Sequence, residues 1–310
     1  MTIDTMTLTL RQPLPEEAEA VFALITHCER TDLGEALLEW EEQLDDWAHN
    51  PPENRWVVAT ADQQIAGYAI LMEYGPGDNA MYAYVHPDFT GLGIGTMLIQ
   101  AAERRVNELA PATGAVYFRA YNPGDKPAAD ELFTENGFHI LTHAFLMQIE
   151  LSAPPPAPVW PDDLKLRMLR MSDEKRAVYE VVEEAFAQPG RVRRDFDQWC
   201  ERVFENVGFD PTMFYVVENP AGEIVAAVHC QCFHEDTMVS QLVVREDYRR
   251  RGIALNMLYT IYGVVWLRGR RSVVLSVDGQ NPTNAISVYQ RAGMSVKHHF
   301  VKWEKVIREG

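Results

Sequence analysis

The sequence feature that most constrains the fold is an internal repeat. The segment LKLRMLRMSDEKRAVYEVV in the second half parallels TLTLRQPLPEEAEAVFALI in the first, and Arg167 follows Arg11 at an offset of 156. Later in each half, a strand pattern leads into a glycine-bearing turn, where Gly252 follows Gly93 at an offset of 159. A period this long indicates a duplicated domain, because solenoid repeats recur roughly every 20–50 residues.

A proline-rich stretch separates the two copies. Residues 151–162, LSAPPPAPVWPD, contain five prolines, and proline is excluded from helix interiors and central strands because it fixes φ and lacks an N–H. We therefore predict a first domain at 1–150, a semi-rigid linker at 151–162 and a second domain at 163–310. The length of 310 residues agrees with two domains of about 100–200 residues each.

Each copy shows the same succession of strand and helix patterns. In the first helix, Val21, Leu24, Ile25 and Cys28 form one apolar face at helical spacing. Apolar runs rich in Val, Ile and Tyr flank the polar turns ADQQ and PAGE, which is typical of antiparallel strands. The predicted fold class is mixed α/β, with a largely antiparallel central sheet flanked by helices in each of two tandem domains.

Charge and composition limit the partners. The net charge of −17 belongs entirely to residues 1–150, with 24 acidic and 7 basic side chains, since residues 151–310 have 21 of each. This balance argues against nucleic acid and favours the second domain for a polyanionic ligand. No apolar run approaches the roughly 18 residues of a membrane helix, and the N-terminus lacks a signal-peptide pattern. With four cysteines and no CxxC pair, we expect a cytoplasmic protein with no metal site and no membrane partner.

The two glycine turns carry the chemistry. The first reads TGLGIG (90–95) and the second RRRGIA (249–254), each directly before a predicted helix. Small residues let the backbone approach a ligand, and the first N–H groups of the helix form an anion site suited to a pyrophosphate. A dinucleotide-binding GxGxxG is the rival interpretation, but it should follow the first strand of a parallel unit. The phosphate-loop ending GK[ST] is absent from the sequence.

These turns resemble the acetyl-CoA loop of the GCN5-related N-acetyltransferases, [Q/R]-x-x-G-x-[G/A] after a strand. The run from Asn281 through Tyr289 to Gly293-Met294 is similar to the second motif of that family. The resemblance covers nearly the whole chain as two consecutive acyl-CoA N-acyltransferase folds, a layout similar to that of tandem members such as mycothiol synthase. It implies a transferase that uses acetyl-CoA as cosubstrate, without a metal, and acetylates a primary amine directly.

The resemblance also implies site residues in the second domain. Backbone groups of residues 242–244 would pair with the pantetheine arm, and the amides of 249–254 would bind the pyrophosphate. The implied cofactor-binding residues are Leu242, Val243, Val244, Arg249, Arg250, Arg251, Gly252, Ile253, Ala254, Asn281 and Asn284. The N–H of Val243 or Val244 would bind the oxyanion.

Tyr289 is the residue implied to protonate the departing thiolate, because a phenol is a proton donor. For the general base, some family members carry a glutamate on the strand before the loop, but MVSQLVV has no acid. Glu235 and Asp236, just upstream, are the candidates, alongside a water relay. His229 and His234 fall on opposite faces of their strand and are interpreted as core or edge residues.

The first domain departs from the family pattern. Thr90 replaces the Gln or Arg, and Phe133, which has no hydroxyl, stands in the place of the tyrosine. Three extra residues between Asn122 and Phe133 account for the fall of the offset from 159 to 156. We therefore predict a structural or regulatory first domain, still able to hold CoA through its glycines, and a catalytic second domain.

The acceptor is predicted to be a small-molecule amine, with a protein amine as a variant. It should lie against the first two helices of the active domain, where the acidic first domain would favour a cation. A non-catalytic, CoA-responsive binding module is the alternative, since fold alone does not determine catalysis. The loop sequence leaves open an acyl chain longer than acetyl, and the protein is expected to be a monomer or a homodimer.

Overall fold

The computed structural model describes residues 7–187, 193–206, 208–232, 236–279 and 285–310, apart from the side chain of Glu42. The strands in chain order are β1 (Thr9–Arg11), β2 (Arg55–Ala59), β3 (Ile65–Gly75), β4 (Asp78–Val85), β5 (Val116–Pro123), β6 (His139–Glu150), β7 (Lys165–Met168), β8 (Phe209–Glu218), β9 (Ile224–Cys232), β10 (Asp236–Val244), β11 (Ser272–Asp278) and β12 (Ser295–Arg308). The helices are α1 (Ala18–Leu33), α2 (Trp40–His49), α3 (Ile94–Leu109), α4 (Pro127–Glu135), α5 (Lys175–Ala185), α6 (Phe196–Phe204), α7 (Ile253–Leu267) and α8 (Ala285–Arg291). The predicted mixed α/β class is confirmed.

The chain divides into two compact units. The first unit comprises Met1–His143 and His298–Gly310, and the second unit comprises Ala144–Lys297. In the first unit the strand order is β1-β2-β3-β4-β5-β12, and β4 with β5 is a parallel pair among antiparallel ones. Apolar residues of α1 pack on one face of this sheet, and those of α3 with Phe133 of α4 pack on the other.

The second unit repeats this plan. Its strand order is β6-β11-β10-β9-β8-β7, and β10 with β11 is the parallel pair. One core cluster joins α5 and α6 to β8 and β9, with Trp199 fully buried at its centre. A second cluster joins α7 to the opposite face and includes Met257, Leu258 and Ile261. Apolar residues on alternate strand positions therefore supply both cores, as the period of a strand requires.

The last strand of each sequence half pairs with a strand of the opposite half. β6, from the first half, completes the sheet of the second unit, and β12, from the second half, completes the sheet of the first unit. Residues Phe300–Arg308 of β12 pair with β5, and residues Ala144–Glu150 of β6 pair with β11. The second unit is thus continuous in sequence, and it interrupts the first. These limits differ from the predicted domains 1–150 and 163–310, because the partner of a strand depends on contacts between distant residues, which a hydrophobic pattern does not encode.

The proline-rich segment is part of the second unit. Leu151 and Leu164, at its two ends, are buried, and Trp160 packs against the core. The side chain of Asn256 in α7 holds both backbone groups of Val159, with N···O distances of 2.9 and 2.8 Å. The predicted semi-rigid spacer is therefore a packed segment of the fold.

The strand registers show that the length difference between the two copies lies before β5 and β11. Asp78 pairs with Tyr117 in the first unit and Asp236 pairs with Ser272 in the second, so the chain between these partners is three residues shorter in the second unit. Most of the difference lies between the helix and the following strand, since α3 and β5 are further apart in sequence than α7 and β11. The predicted insertion after Asn122 is wrong, because the three-residue difference is already complete at Tyr117 and Ser272, before the chain reaches Asn122 in β5.

Candidate active site

In the second unit, β10 and β11 diverge, which leaves the sheet open beside β10. This strand pairs with β9 up to Val244, but it pairs with β11 only from Asp236 to Met238. Beyond Met238, the described chain supplies no strand partner on the β11 side, so backbone groups on that side are available to a ligand. An extended molecule with amide groups, such as a pantetheine arm, can bond to such an edge as an added strand. The predicted cofactor residues 242–244 lie in this open stretch.

A β-bulge lies close to where the opening begins. The register with β9 shifts between Val239 and Gln241, which leaves Ser240 as an extra residue in β10. Bulges bend a strand and redirect its side chains, and they are over-represented beside active sites. The corresponding strand β4 pairs with β3 without a shift over residues 79–85. The two units therefore differ in backbone geometry at this point.

The turn after β10 starts α7 in the geometry of an anion site. Gly252 is the N-cap, with a φ of 78°. No described side chain caps the first turn of α7, and that turn contains no acidic residue. The first N–H groups of the helix, at Ile253 and Ala254, are thus left for a ligand, and the helix dipole favours an anion there.

Arg250 has a backbone conformation that favours glycine, with a φ of 64°. Its counterpart in the first unit is Gly91, with a φ of 77°. The left-handed region costs a residue with a side chain about 1–2 kcal/mol. The Arg250 side chain is exposed and forms no ion pair with a described residue. Strain of this kind is a reason to look for a function in the side chain that causes it.

The flanking arginines are already engaged. Arg249 donates from Nε to the carbonyl of Val244 at 3.2 Å, which ties the turn to the end of β10. Arg251 forms an ion pair with Asp163 at 2.6 Å, and this hydrogen bond lowers the pKa of the Asp163 carboxyl by stabilising its charged form. Among the three predicted arginines, Arg250 therefore has the most available charge.

Tyr289 lies on α8 and packs, partly buried, against the core of the second unit. Burial raises the pKa of its phenol, so the hydroxyl is protonated at neutral pH and can donate. At the corresponding position of α4, Phe133 is buried and stacks on Trp303, with ring centroids 5.5 Å apart. The first unit has a packing ring where the second has a proton donor.

The structure does not bring the described candidate base to the opening. Asp236 is the first residue of β10, in the part of the strand that is still paired with β11. The bulge residue Ser240 lies four positions further along the strand, which is roughly 13 Å in an extended conformation. The predicted site residues that fall outside the described residues are Glu235, Asn281 and Asn284.

A polar cluster that the sequence analysis did not assign to the site lies beside the bulge. His229 on β9 is 3% exposed and stacks on Phe214, with ring centroids 5.0 Å apart. Neither ring nitrogen of His229, nor Oε1 of Gln241, the facing residue on β10, forms a well-aligned hydrogen bond with a described residue, and these polar atoms interact only with each other. Burial lowers the pKa of His229 to about 4, against the opposing effect of its interaction with the Gln241 side-chain oxygen, a poorly aligned hydrogen bond. Each unpaired buried group costs about 1–3 kcal/mol.

Ser240 and Gln231 extend this polar cluster. The hydroxyl of Ser240 donates to Oε1 of Gln231 at 2.7 Å, and the amide nitrogen of Gln231 donates to Oδ1 of Asn206. The sequence contained a signal for the cluster, because His229 and Gln231 are polar residues two positions apart in the apolar run AAVHCQCF, and so share a face. From the sequence alone, His229 is interpreted as a core or edge residue, and Gln231 is not considered.

In the first unit, aromatic rings occupy the corresponding place. Tyr82, the counterpart of Gln241 on β4, stacks on Tyr121 of β5, with centroids 5.3 Å apart and ring planes within 4°. Its hydroxyl lies 3.1 Å from that of Tyr74. Because β4 and β5 pair only as far as Met81, the stacked rings bridge the two strands where they diverge. The first unit is packed where the second is polar and poorly paired.

The described residues offer neither a membrane-spanning helix nor a cluster of metal ligands. No described helix is both long and apolar enough to cross a membrane. In the same part of the chain, His, Cys, Asp and Glu side chains form no group of three or more that could hold a metal ion. What the site offers a ligand is a strand edge, a helix N-terminus with an arginine, and neutral polar side chains.

Comparison with known protein families gives a match in each half. A model of the acetyltransferase (GNAT) family matches residues 19–138, and a model described as an acetyltransferase (GNAT) domain matches residues 210–293. Together these models span most of both sequence halves, including both glycine turns.

Individual proteins are similar to this chain over most of its length or all of it. A mycothiol acetyltransferase from Thermobispora bispora is 28% identical over 93% of this chain and 94% of its own, and one from Salinispora arenicola is 30% identical over 81% and 80%. A solved GCN5-related N-acetyltransferase from Sphaerobacter thermophilus is 34% identical, with a TM-score of 0.88 over 100% of this chain and 98% of that one. A tandem GNAT protein from the clavulanic acid biosynthesis pathway is similar in fold, with a TM-score of 0.73 at 17% identity, over 98% of this chain and 100% of that one.

Proposed function

Since the chain belongs to the GCN5-related N-acetyltransferase family of acetyltransferases, we propose that its second unit binds acetyl-CoA and transfers the acetyl group directly to the primary amine of a small molecule. One observation carries the proposal. The open edge of β10 at residues 242–244 leads directly into the arginine turn and the uncapped N-terminus of α7. This order of groups matches a pantetheine arm followed by a pyrophosphate.

The charges of the two units support the same choice. Residues of the second unit include 20 acidic and 18 basic side chains, whereas those of the first include 25 acidic and 10 basic. A polyanionic thioester is repelled less by the nearly balanced unit. Arg250 would add a charge-assisted hydrogen bond to a phosphate oxygen, and the amides of residues 249–254 would supply neutral ones.

The proposed reaction is one acyl transfer without a covalent enzyme intermediate. The amine nitrogen bonds to the thioester carbonyl carbon, the resulting oxyanion accepts a hydrogen bond from the N–H of Val243 or Val244, and the carbon–sulfur bond then breaks. Tyr289 gives its phenol proton to the leaving sulfur. General acid catalysis of this kind contributes about 10²–10⁴-fold.

The nitrogen must also lose a proton. Glu235 and Asp236 are the candidate bases, and the position of Asp236 in the closed part of the sheet favours a relay through water over direct contact. The proton would pass from the nitrogen to ordered water in the opening and then to a carboxylate. Such a relay requires that the acceptor amine enter from the side of β10 that faces α5 and α6.

The names of the relatives support a small-molecule acceptor. Proteins called mycothiol acetyltransferases are similar to this chain over most of their length, which favours a small amine over the protein amine that was the variant prediction. Acetyl is the acyl group named in these relatives, and it is the one we propose here.

Calorimetric titration with acetyl-CoA tests the proposal. Gly252→Asp places a carboxylate at the N-terminus of α7, and Gly93→Asp makes the same change in the first unit. The backbone strain is matched because both glycines have a φ of 78°. We expect one site in the wild-type protein, lost in Gly252→Asp and retained in Gly93→Asp, with circular dichroism as the folding control. Undiminished binding by a folded Gly252→Asp protein would move the cofactor to the first unit.

The alternative, a non-catalytic CoA-responsive module, is favoured by one observation in the first unit. Gly93 begins α3 with the same φ as Gly252 and without a capping side chain among the described residues, but Phe133 supplies no proton. Binding of acetyl-CoA without release of CoA thiol, across a panel of amines, would support this alternative.

A further inference from the structure

His229 and Gln241 have no part in the proposed binding of acetyl-CoA, and we infer that they form an acceptor subsite. The pair hydrogen-bonds an uncharged polar group, a hydroxyl or an amide, that the acceptor carries next to its amine. This inference rests on the proposed function, which it deepens by specifying the chemistry of the acceptor.

The position of the pair is the first argument. Gln241 lies in the open stretch of β10 and follows the bulge residue Ser240. His229 faces it across the strand pair and stacks on Phe214, which belongs to the core cluster under α5 and α6. A molecule held by these side chains would lie between the helices and the proposed site of the thioester.

The second argument is that the fold does not require polar residues here. The counterparts in the first unit are Ile70, which is buried, and Tyr82, whose hydroxyl bonds with that of Tyr74. The same strand pair is therefore stable with apolar or fully paired side chains. In the second unit, His229 and Gln241 interact with each other only through a poorly aligned contact, and at least one ring nitrogen of His229 has no partner among the described residues. Unpaired buried groups of this kind call for a ligand that supplies the missing bonds.

The third argument identifies the chemical group that the subsite binds. A neutral imidazole presents one donor and one acceptor, and the Gln241 oxygen adds a second acceptor. A hydroxyl or an amide both donates and accepts, and so complements this set. An ammonium group would need a carboxylate, and neither β9 nor residues 237–244 of β10 contain one. The polar neighbour of the amine, rather than the charged amine itself, fits this subsite.

The test compares three amines in an assay of CoA release, namely 2-aminoethanol, glycinamide and n-propylamine. We expect the wild-type protein to prefer the first two over n-propylamine by about tenfold or more in kcat/KM, the loss of one good hydrogen bond. In His229→Phe and Gln241→Met, which keep similar size, we expect that preference to fall toward one. The Kd for acetyl-CoA should equal the wild-type value. The thermal midpoint should equal or exceed the wild-type value, because polar groups without good partners are removed. Tyr82→Phe in the first unit is the matched control and should change none of the kinetic values.

The outcomes separate the inference from the function on which it rests. A retained preference in both variants overturns the inference, and so does a lowered thermal midpoint with unchanged kinetics, which would indicate a structural role. Release of CoA with other amines but with none of these three also overturns the inference, because the smallest acceptors with the recognised group would be refused. Binding of acetyl-CoA with no CoA release for any amine overturns the proposed transfer, and the inference with it. A wild-type protein that neither binds acetyl-CoA nor releases CoA overturns the proposed function instead.

Discussion

Where their central strands diverge, the two units share an open strand edge but differ in backbone register and in the polarity of their side chains. The second unit has an extra residue, Ser240, and two poorly paired polar side chains, whereas the first unit has an unshifted strand and stacked tyrosines. Elsewhere they share strand order, helix placement and a glycine N-cap with the same φ. The comparison separates what the fold needs from what a reaction needs, since the fold is complete in the unit without the polar groups.

The largest expected effect concerns which unit can fold alone. A fragment of residues 144–297 contains its whole sheet, and we expect a cooperative thermal transition. A fragment of residues 1–143 lacks β12 and with it Val301 and the buried Trp303, and losing a buried tryptophan alone typically costs about 3–5 kcal/mol. We expect this fragment to show no cooperative transition by circular dichroism. A cooperative transition for 1–143, with none for 144–297, would contradict the assignment of the strands.

The next comparison exchanges the aromatic residues on α8 and α4. Tyr289→Phe should lower kcat by about 10²-fold or more while the Kd for acetyl-CoA stays near the wild-type value, because the phenol acts on the leaving sulfur. The matched change Phe133→Tyr in the first unit should leave kcat unaltered. Steady-state kinetics with the best available amine measures both, and an unchanged rate in Tyr289→Phe would remove the residue from the mechanism.

The pH dependence of stability tests the burial of His229, which has an apolar counterpart in the first unit. Its pKa is about 4 in the folded protein and about 6.5 when unfolded, so the unfolded chain binds the proton first as the pH falls. His229 therefore costs no stability above pH 6.5 or so, and the cost grows until about pH 4. We expect His229→Phe to lose roughly 2 kcal/mol less stability than the wild type between pH 7 and pH 5. Urea unfolding at both pH values measures the difference, and equal losses would mean that the histidine is not buried as described.

The smallest effect concerns the strained turn. Arg250→Gly should relieve a left-handed conformation worth about 1–2 kcal/mol, partly offset by the flexibility of glycine, roughly 0.5–1 kcal/mol. The net gain in stability should be about 0.5 kcal/mol, while the Kd for acetyl-CoA should rise about tenfold through the lost phosphate contact. Gly91→Arg should destabilise the first unit by a similar small amount. Unchanged affinity in Arg250→Gly would leave the strain without a function.

The sequence sufficed for the fold class and the duplication, because these depend on local periodicity and on repeated motifs such as the turns at Gly93 and Gly252. It did not reveal the exchange of β6 and β12, since both candidate partners of each strand have the same apolar pattern. The bulge at Ser240 was in principle detectable, because the repeat offset is 158 at Asp236 and 159 at Gly252. His229 was visible but misinterpreted, because a lone polar residue in an apolar strand does not show whether it is paired.

The exchange of strands also sets an order of assembly during synthesis. The second unit is complete once residue 297 has been made, but β5 of the first unit waits for a partner at the end of the chain. Arg119 of β5 and Glu304 of β12, which form an ion pair, are 185 residues apart. At about 5–20 residues per second, this delay is roughly 10–40 s. During that time β5 is an exposed edge, open to pairing with other nascent chains, so the unit proposed to perform the reaction is finished first and the unit that encloses it in sequence is the one exposed to misassembly.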